Sequence, residues 1–170
     1  MTIEKVATET QVETVARLAH EIWNQHFIPI IGKAQVDYML ERFQSKEAIS
    51  EQIENGYSYY LLDADSDYVG YMGLCPKEDE LFLSKLYIRV SQRGKGFGRK
   101  AIEFLEDLVR EKRLSKITLT VNKNNTDSIK AYEEFGFTNL GIFVQDIGNG
   151  FVMDDYKMEK VVRRRRTLLG

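Results

Sequence analysis

One cysteine, two prolines, two histidines and no long apolar run mark this 170-residue sequence, and each shortage excludes something. A single thiol, Cys75, cannot form an internal disulfide and suits a reducing compartment. One cysteine and two separated histidines do not make a metal-ligand set. No stretch approaches the roughly 18 to 20 apolar residues of a membrane span. The opening MTIEKVATETQVE carries acidic residues and no hydrophobic region of the kind that directs secretion, so a cytoplasmic location is expected. A net charge of −2 supplies no global attraction to nucleic acid or to an anionic membrane, and any basic patch must be local. Low complexity is confined to RRRR at Arg163–Arg166. Residues 1–162 are therefore expected to form one domain and 163–170 a solvated basic tail.

What is present alternates helical and strand periods. Thr10 and Glu13 stand in capping-box spacing, and Val12, Val15, Ala16, Ala19, Ile22 and Trp23 then recur as one apolar helix face. HFIPIIGKA breaks that helix at Pro29 and Gly32. Shorter helices are predicted over Val36–Phe43 and Lys46–Glu54, the second closed by Asn55-Gly56. YSYYLLD and YVGYMGLC, separated by DADSD, read as a hairpin, and ELFLSKLYIRV as a third strand. Helix returns after Gly98, then a strand at KITLTV, a short helix in NNTDSIKAYEEFGF, and two strands around GNG. Strand, helix and strand between Leu81 and Val121 require a right-handed parallel crossover inside an otherwise antiparallel sheet. The fold class predicted is α/β: a single-domain mixed sheet with one parallel strand pair, flanked by helices.

The segment SQRGKGFGRK places Gly94, Gly96 and Gly98 among Arg93, Lys95, Arg99 and Lys100 at a strand-to-helix turn. It matches neither the dinucleotide fingerprint nor the P-loop. It is either a solvated turn or an anion cradle, in which bare backbone N–H groups and a helix N-terminus face a phosphate. Asn125, Ser128 and Tyr132 fall at i, i+3 and i+7 and so share one helix face. Taken singly they read as a cap, an incidental serine and a core tyrosine. Their helix, however, follows the strand expected beside LYIRV, so both features would lie at the carboxyl ends of adjacent parallel strands, where open α/β sheets bind ligands.

LYIRVSQRGKGFGRKAIEFL resembles the acetyl-CoA signature of the GNAT acetyltransferases, with Arg93, Gly96 and Gly98 at its fixed positions. VNKNNTDSIKAYEEFGF resembles the second motif of that family and DDYKMEK its last core strand. The helical first third and the FVQDIGNGFVMDDYKM hairpin further resemble bacterial polyamine (spermidine/spermine) acetyltransferases. The resemblance implies an acetyl-CoA-dependent N-acetyltransferase in which a primary amine, polyamine-like, attacks the thioester directly. It also implies donor-binding roles. Leu86, Tyr87 and Ile88 would offer backbone to the pantetheine arm. Gly94, Lys95, Gly96, Phe97, Gly98 and Arg99, with Arg93, would hold the pyrophosphate. Asn125 and Ser128 would flank the arm, and Tyr132 would protonate the leaving thiolate.

The general base stays unassigned, because Ser84 and Lys85 occupy mid-strand where many relatives carry a carboxylate, and Glu80 lies at the strand's start. His20 and His26 fall where the family builds its acceptor site, although a lone histidine is more often a surface or capping residue. Glu21, Asp37 and Glu41 are candidates to receive a polyamine's ammonium groups. Alternatives remain open: acetylation of a protein N-terminus or lysine, or a non-catalytic acyl-CoA- or nucleic-acid-binding module. Overall acidity argues against nucleic acid, and a homodimer is left open.

Overall fold

The chain begins in a strand that its sequence pattern does not announce: β1 (Thr2–Lys5) in a computed structural model that describes residues 1–165. Four residues are too few to show a period. The strand forms because β2 (Ser58–Ala64) offers it an edge, with pairing from Thr2↔Asp63 to Lys5↔Tyr60. Helix α1 (Glu9–His26) follows. Its capping box is Thr8 with Gln11, not Thr10 with Glu13: the Gln11 N–H donates to Thr8 Oγ1 at 3.2 Å, and the Thr8 N–H to Gln11 Oε1 at 3.0 Å. The two spacings overlap in TETQVE, and the earlier one starts the helix. Glu13 instead pairs with Lys46 at 2.9 Å.

Within the expected break, Ile28–Ile31 makes one helical turn, α2, because proline in a first turn lacks only an N–H that would be unpaired anyway. Helices α3 (Lys33–Phe43) and α4 (Lys46–Glu54) complete the N-terminal layer. Strands β3 (Asp67–Lys77) and β4 (Glu80–Ile88) lead through a 3₁₀ turn at Val90–Gln92 into α5 (Phe97–Glu111). Then come β5 (Lys116–Asn122), α6 (Thr126–Glu134), β6 (Thr138–Gly148) and β7 (Phe151–Val161). The sheet order is β1-β2-β3-β4-β5-β7-β6, and only β4 and β5 are parallel. This is the mixed α/β sheet expected from the sequence.

Period-two alternation divides the core between the faces of the sheet. Tyr60, Leu62, Met72 and Leu74 pack with Ala101, Ile102, Leu105 and Val109 of α5. Tyr59, Leu61 and Tyr71 face the opposite layer, against Val15, Ile22 and Trp23 of α1 and Ile49 of α4. None of the helices among the described residues is long and apolar enough to cross a membrane. Past β7, Arg110 Nε donates to the Arg163 carbonyl at 3.1 Å and Arg165 approaches Asp107 at 3.3 Å. Residues 166–170, with the last arginine of RRRR, lie outside the described residues.

Two irregularities on β4 shape everything nearby. Opposite β3, Gly73 pairs with Lys85 while Leu74 pairs with Leu83, so Ser84 is an extra, bulged residue. Opposite β5, pairing stops after Glu80↔Lys116, Leu81↔Ile117 and Phe82↔Thr118. A bulge bends its strand and ends regular pairing, and here β4 and β5 diverge from the bulge onward.

The position of the first cap is open to direct test. Thr8→Ala should lower the unfolding free energy by about 1 kcal/mol, whereas Thr10→Ala should change it by less than about 0.5 kcal/mol. Urea denaturation of both variants checks this, and equal losses would return the box to Thr10.

Candidate active site

Where β4 and β5 part, clefts open on both sides of the sheet's midline and meet between the strands. One, of about 550 Å³, lies over the glycine turn and includes Arg93, Gly96, Arg99, Asn125, Ser128 and Tyr132 in its walls. A small cavity of about 70 Å³ sits in the splay itself, against Leu86, Tyr87, Leu119, Thr120 and Tyr132. The third, of about 470 Å³, opens on the far side among Phe43, Gln52, Lys85, Phe143 and Lys157. Tyr87 borders all three, so the clefts adjoin one another around its side chain between the glycine turn and the helical layer.

The glycine turn has the geometry of an anion cradle. Gly94 and Gly96 have φ of 76° and 82°, left-handed values that suit glycine, and nothing lies within 4 Å of where a side chain would start. Gly96 is the N-cap of α5 and provides no side-chain acceptor, which leaves the first N–H groups of a 15-residue helix without a side-chain cap. Of the surrounding cations, Lys95 contacts Gln92 at 3.0 Å and Arg99 stacks over the Phe135 ring at 5.2 Å. Arg93 is held differently. Its Nε donates to the Ile88 carbonyl at 3.3 Å, and its Nη1 lies 3.0 Å from His26 Nδ1.

The polar helix face contacts the same group. Asn125 is 6% exposed, and its Oδ1 lies 3.0 Å from His26 Nε2. It stands at the N-cap of α6, yet its side chain makes no capping bond. Arginine can only donate, so His26 Nδ1 must accept and Nε2 must carry the proton given to Asn125. Burial pulls the imidazole below its usual range; the Asn125 bond and Asp127 oppose this, while Arg93 adds to it. His26 thus ties the end of α1 to both donor-side motifs, a contact spanning 99 residues to Asn125 and 67 to Arg93. Nothing local in the sequence signals it. His20 makes no comparable contact: its carbonyl accepts from Asn24.

Ser128 and Tyr132 both border the splay cavity, and burial pushes the Tyr132 phenol up, so it stays protonated. The three acids singled out for a polyamine do not line these clefts. Glu21 is paired with Arg89 at 2.8 Å and Asp37 with Lys33 at 3.1 Å, while Glu41 is on the exposed side of α3. Glu80 does border the far cleft, but lies 4.0 Å from Lys116.

Residues 15–137 match the Acetyltransferase (GNAT) family. The chain belongs to the GNAT acetyltransferase family. A Bacillus subtilis (strain 168) protein named for N-acetylation of ribosomal protein alanine is 28% identical over 93 residues, which are 54% of this chain and 62% of that one. Among solved structures, the PaiA N-acetyltransferase of Thermoplasma acidophilum in complex with coenzyme A superposes with a TM-score of 0.75 at 22% identity, over 95% of this chain and 99% of that one. The Vibrio cholerae spermidine N-acetyltransferase in complex with CoA and spermine gives 0.68 at 20% identity, over 95% of each chain. At these identities the two structures establish a shared fold.

As a GNAT protein the chain departs from expectation at Lys85. This side chain is 6% exposed, and its ammonium donates only to neutral oxygens: the Phe43 carbonyl and Tyr59 hydroxyl at 2.5 Å and Gln52 Oε1 at 3.1 Å. Gly73 makes room for this cluster, since a Cβ there would meet the Tyr59 ring at 3.0 Å. Burial pulls Lys85 down to about 7.

That shift has a definite consequence for stability. An unfolded lysine keeps its proton to about pH 10.4, whereas the folded one releases it near 7. Between these values the unfolded chain binds more protons, so raising the pH stabilises the fold. From pH 7 to 9.5, wild type should gain on Lys85→Met in denaturant titrations. A constant difference between the two proteins would mean that Lys85 is not titrating there.

Proposed function

We propose that the chain transfers an acetyl group from acetyl-CoA to a primary amine by direct attack. The observation that carries this reading is the series of adjoining clefts from the glycine turn, past the strand splay beside Tyr132, to the far side of the sheet. The N–H groups of Gly94 to Arg99 hold the pyrophosphate, with Arg93, Lys95 and Arg99 adding charge. The open edge of Leu86, Tyr87 and Ile88 faces the pantetheine arm, and Asn125 and Ser128 flank it. Attack forms the C–N bond and a tetrahedral oxyanion; collapse breaks the C–S bond, and Tyr132 gives its proton to the departing thiolate.

The acceptor enters from the far cleft. A polyamine is supported by fold likeness to a spermidine acetyltransferase, but the cleft is bordered by Lys77, Lys85 and Lys157 against Glu80. Bringing several ammonium groups beside Lys77 and Lys157 is unfavourable, so an acceptor with one ammonium group fits better than a polycation. A peptide α-amine is the second reading, favoured by the name of the Bacillus relative. The chain is read as cytoplasmic. A homodimer is supported by edge strand β6, where Ile142 is 72% and Val144 59% exposed.

Coenzyme release measured by a thiol reagent, with spermidine, a monoamine of matched length and an alanine-initiated peptide, tests the acceptor. The monoamine or the peptide should exceed spermidine at both low and high salt. A spermidine preference that falls steeply with ionic strength would establish the polycation instead.

Two variants separate binding from chemistry. Gly96→Asp should weaken acetyl-CoA binding at least tenfold in calorimetry, through charge repulsion and a disfavoured φ of 82°. Tyr132→Phe should bind the donor normally while its kcat falls about 10²- to 10⁴-fold. Full turnover with phenylalanine at 132 would make the tyrosine structural.

A further inference from the structure

We infer that Asp155, on β7, is the catalytic group that takes the proton from the acceptor's ammonium. The inference rests on the acetyl-transfer reading and supplies the base that the strand β4 lacks. Asp155 is 2% exposed and borders the splay cavity together with Ser84, Thr120 and Tyr132. Its Oδ1 is one of four buried side-chain polar atoms with no hydrogen-bond partner among the described residues. Two of the others, Trp23 Nε1 and Thr118 Oγ1, belong to residues that line the adjoining clefts. A carboxylate buried without a cation is costly, and no ion pair among the described residues involves this one: Lys123 pairs with the neighbouring Asp154. An incoming ammonium is the partner its position lacks.

The groups facing it complete the site. Tyr87 comes from β4, Tyr132 from α6 and Thr120 from β5, while Gln35 and Met39 of α3 bring no charge. The register neighbour on β6 is Phe143, and Asp154 is the nearest acid on β7. Burial pushes the Asp155 carboxyl up to about 6, against the Thr120 hydroxyl, which favours the ionised form, and with a smaller push from Asp154. It is therefore ionised at neutral pH, yet more basic than an ordinary carboxylate.

Protons balance around this pair. The ammonium gives one proton to Asp155, and the freed amine forms the C–N bond. On collapse the C–S bond breaks, the thiolate takes the Tyr132 proton, and the second proton of the attacking nitrogen restores the phenol. Asp155 then releases its proton to solvent, which accounts for the one proton the reaction yields.

The test compares two probes, ethylamine, protonated at pH 7.5, and 2,2,2-trifluoroethylamine, already neutral there. Asp155→Asn keeps the shape and removes the base. Its kcat/KM should fall about 10²- to 10⁴-fold with ethylamine and less than about tenfold with the neutral amine, with acetyl-CoA affinity unchanged. Thr120→Val, which leaves Asp155 in place, should move the acidic limb of the wild-type profile to higher pH. Equal losses with both amines, or full activity of Asp155→Asn with ethylamine, would overturn the role, as would an unmoved limb in Thr120→Val. If wild type releases no coenzyme with either probe or with the peptide, acetyl transfer itself fails and the base assignment falls with it.

Discussion

The pairing of β4 with β5 ends after three residue pairs, and the functional architecture follows from that interruption. A fully zipped parallel pair would fill the midline of the sheet with backbone hydrogen bonds and side chains. The extra residue at Ser84 bends β4 against β3 instead, and the strands separate where their carboxyl ends approach two helix N-termini. The opening leaves backbone groups of Leu86 to Ile88 facing a cleft rather than a partner strand. It also creates a cavity of about 70 Å³ that Tyr132 reaches from α6 and Asp155 from β7.

An interrupted sheet needs other means of holding its two halves in register. On the donor side, His26 joins α1 to Asn125 and Arg93 through one neutral ring. On the far side, Lys85 joins β4 to β2 and to the α3–α4 layer through three oxygens. Lys85 is buried and His26 half-buried, and in each the burial favours the neutral form. Each therefore cross-links elements without leaving a strong fixed charge at the centre of the path. The contrast with Asp155, buried and without a cation beside it, is what makes the carboxylate stand out.

Much of the donor side was legible locally. Gly94, Gly96 and Gly98 with four cations before an amphipathic helix specify a left-handed turn at a helix N-terminus, and the helix begins at Phe97, one residue before the expected glycine. The i, i+3, i+7 spacing of Asn125, Ser128 and Tyr132 brought all three to the clefts. Where local cues compete, reading failed. TETQVE contains two overlapping capping boxes, and the spacing alone does not select the one at Thr8 that the structure uses. Strand β1 was invisible, because four residues acquire strand character from the edge they meet, not from their own pattern.

The sequence by itself determined the elements, the parallel crossover and the donor motif, because each rests on hydrophobic period, turn chemistry or spacing within about thirty residues. Tertiary structure decided the acceptor side. Whether Lys85 faces water or three oxygens, whether Glu21 is free or held by Arg89, and whether Asp155 has a cation beside it depend on residues between 26 and 68 positions apart or on strand order. Charge in a chain is a count, but its chemistry is set by burial and by partners, and only folding assigns those.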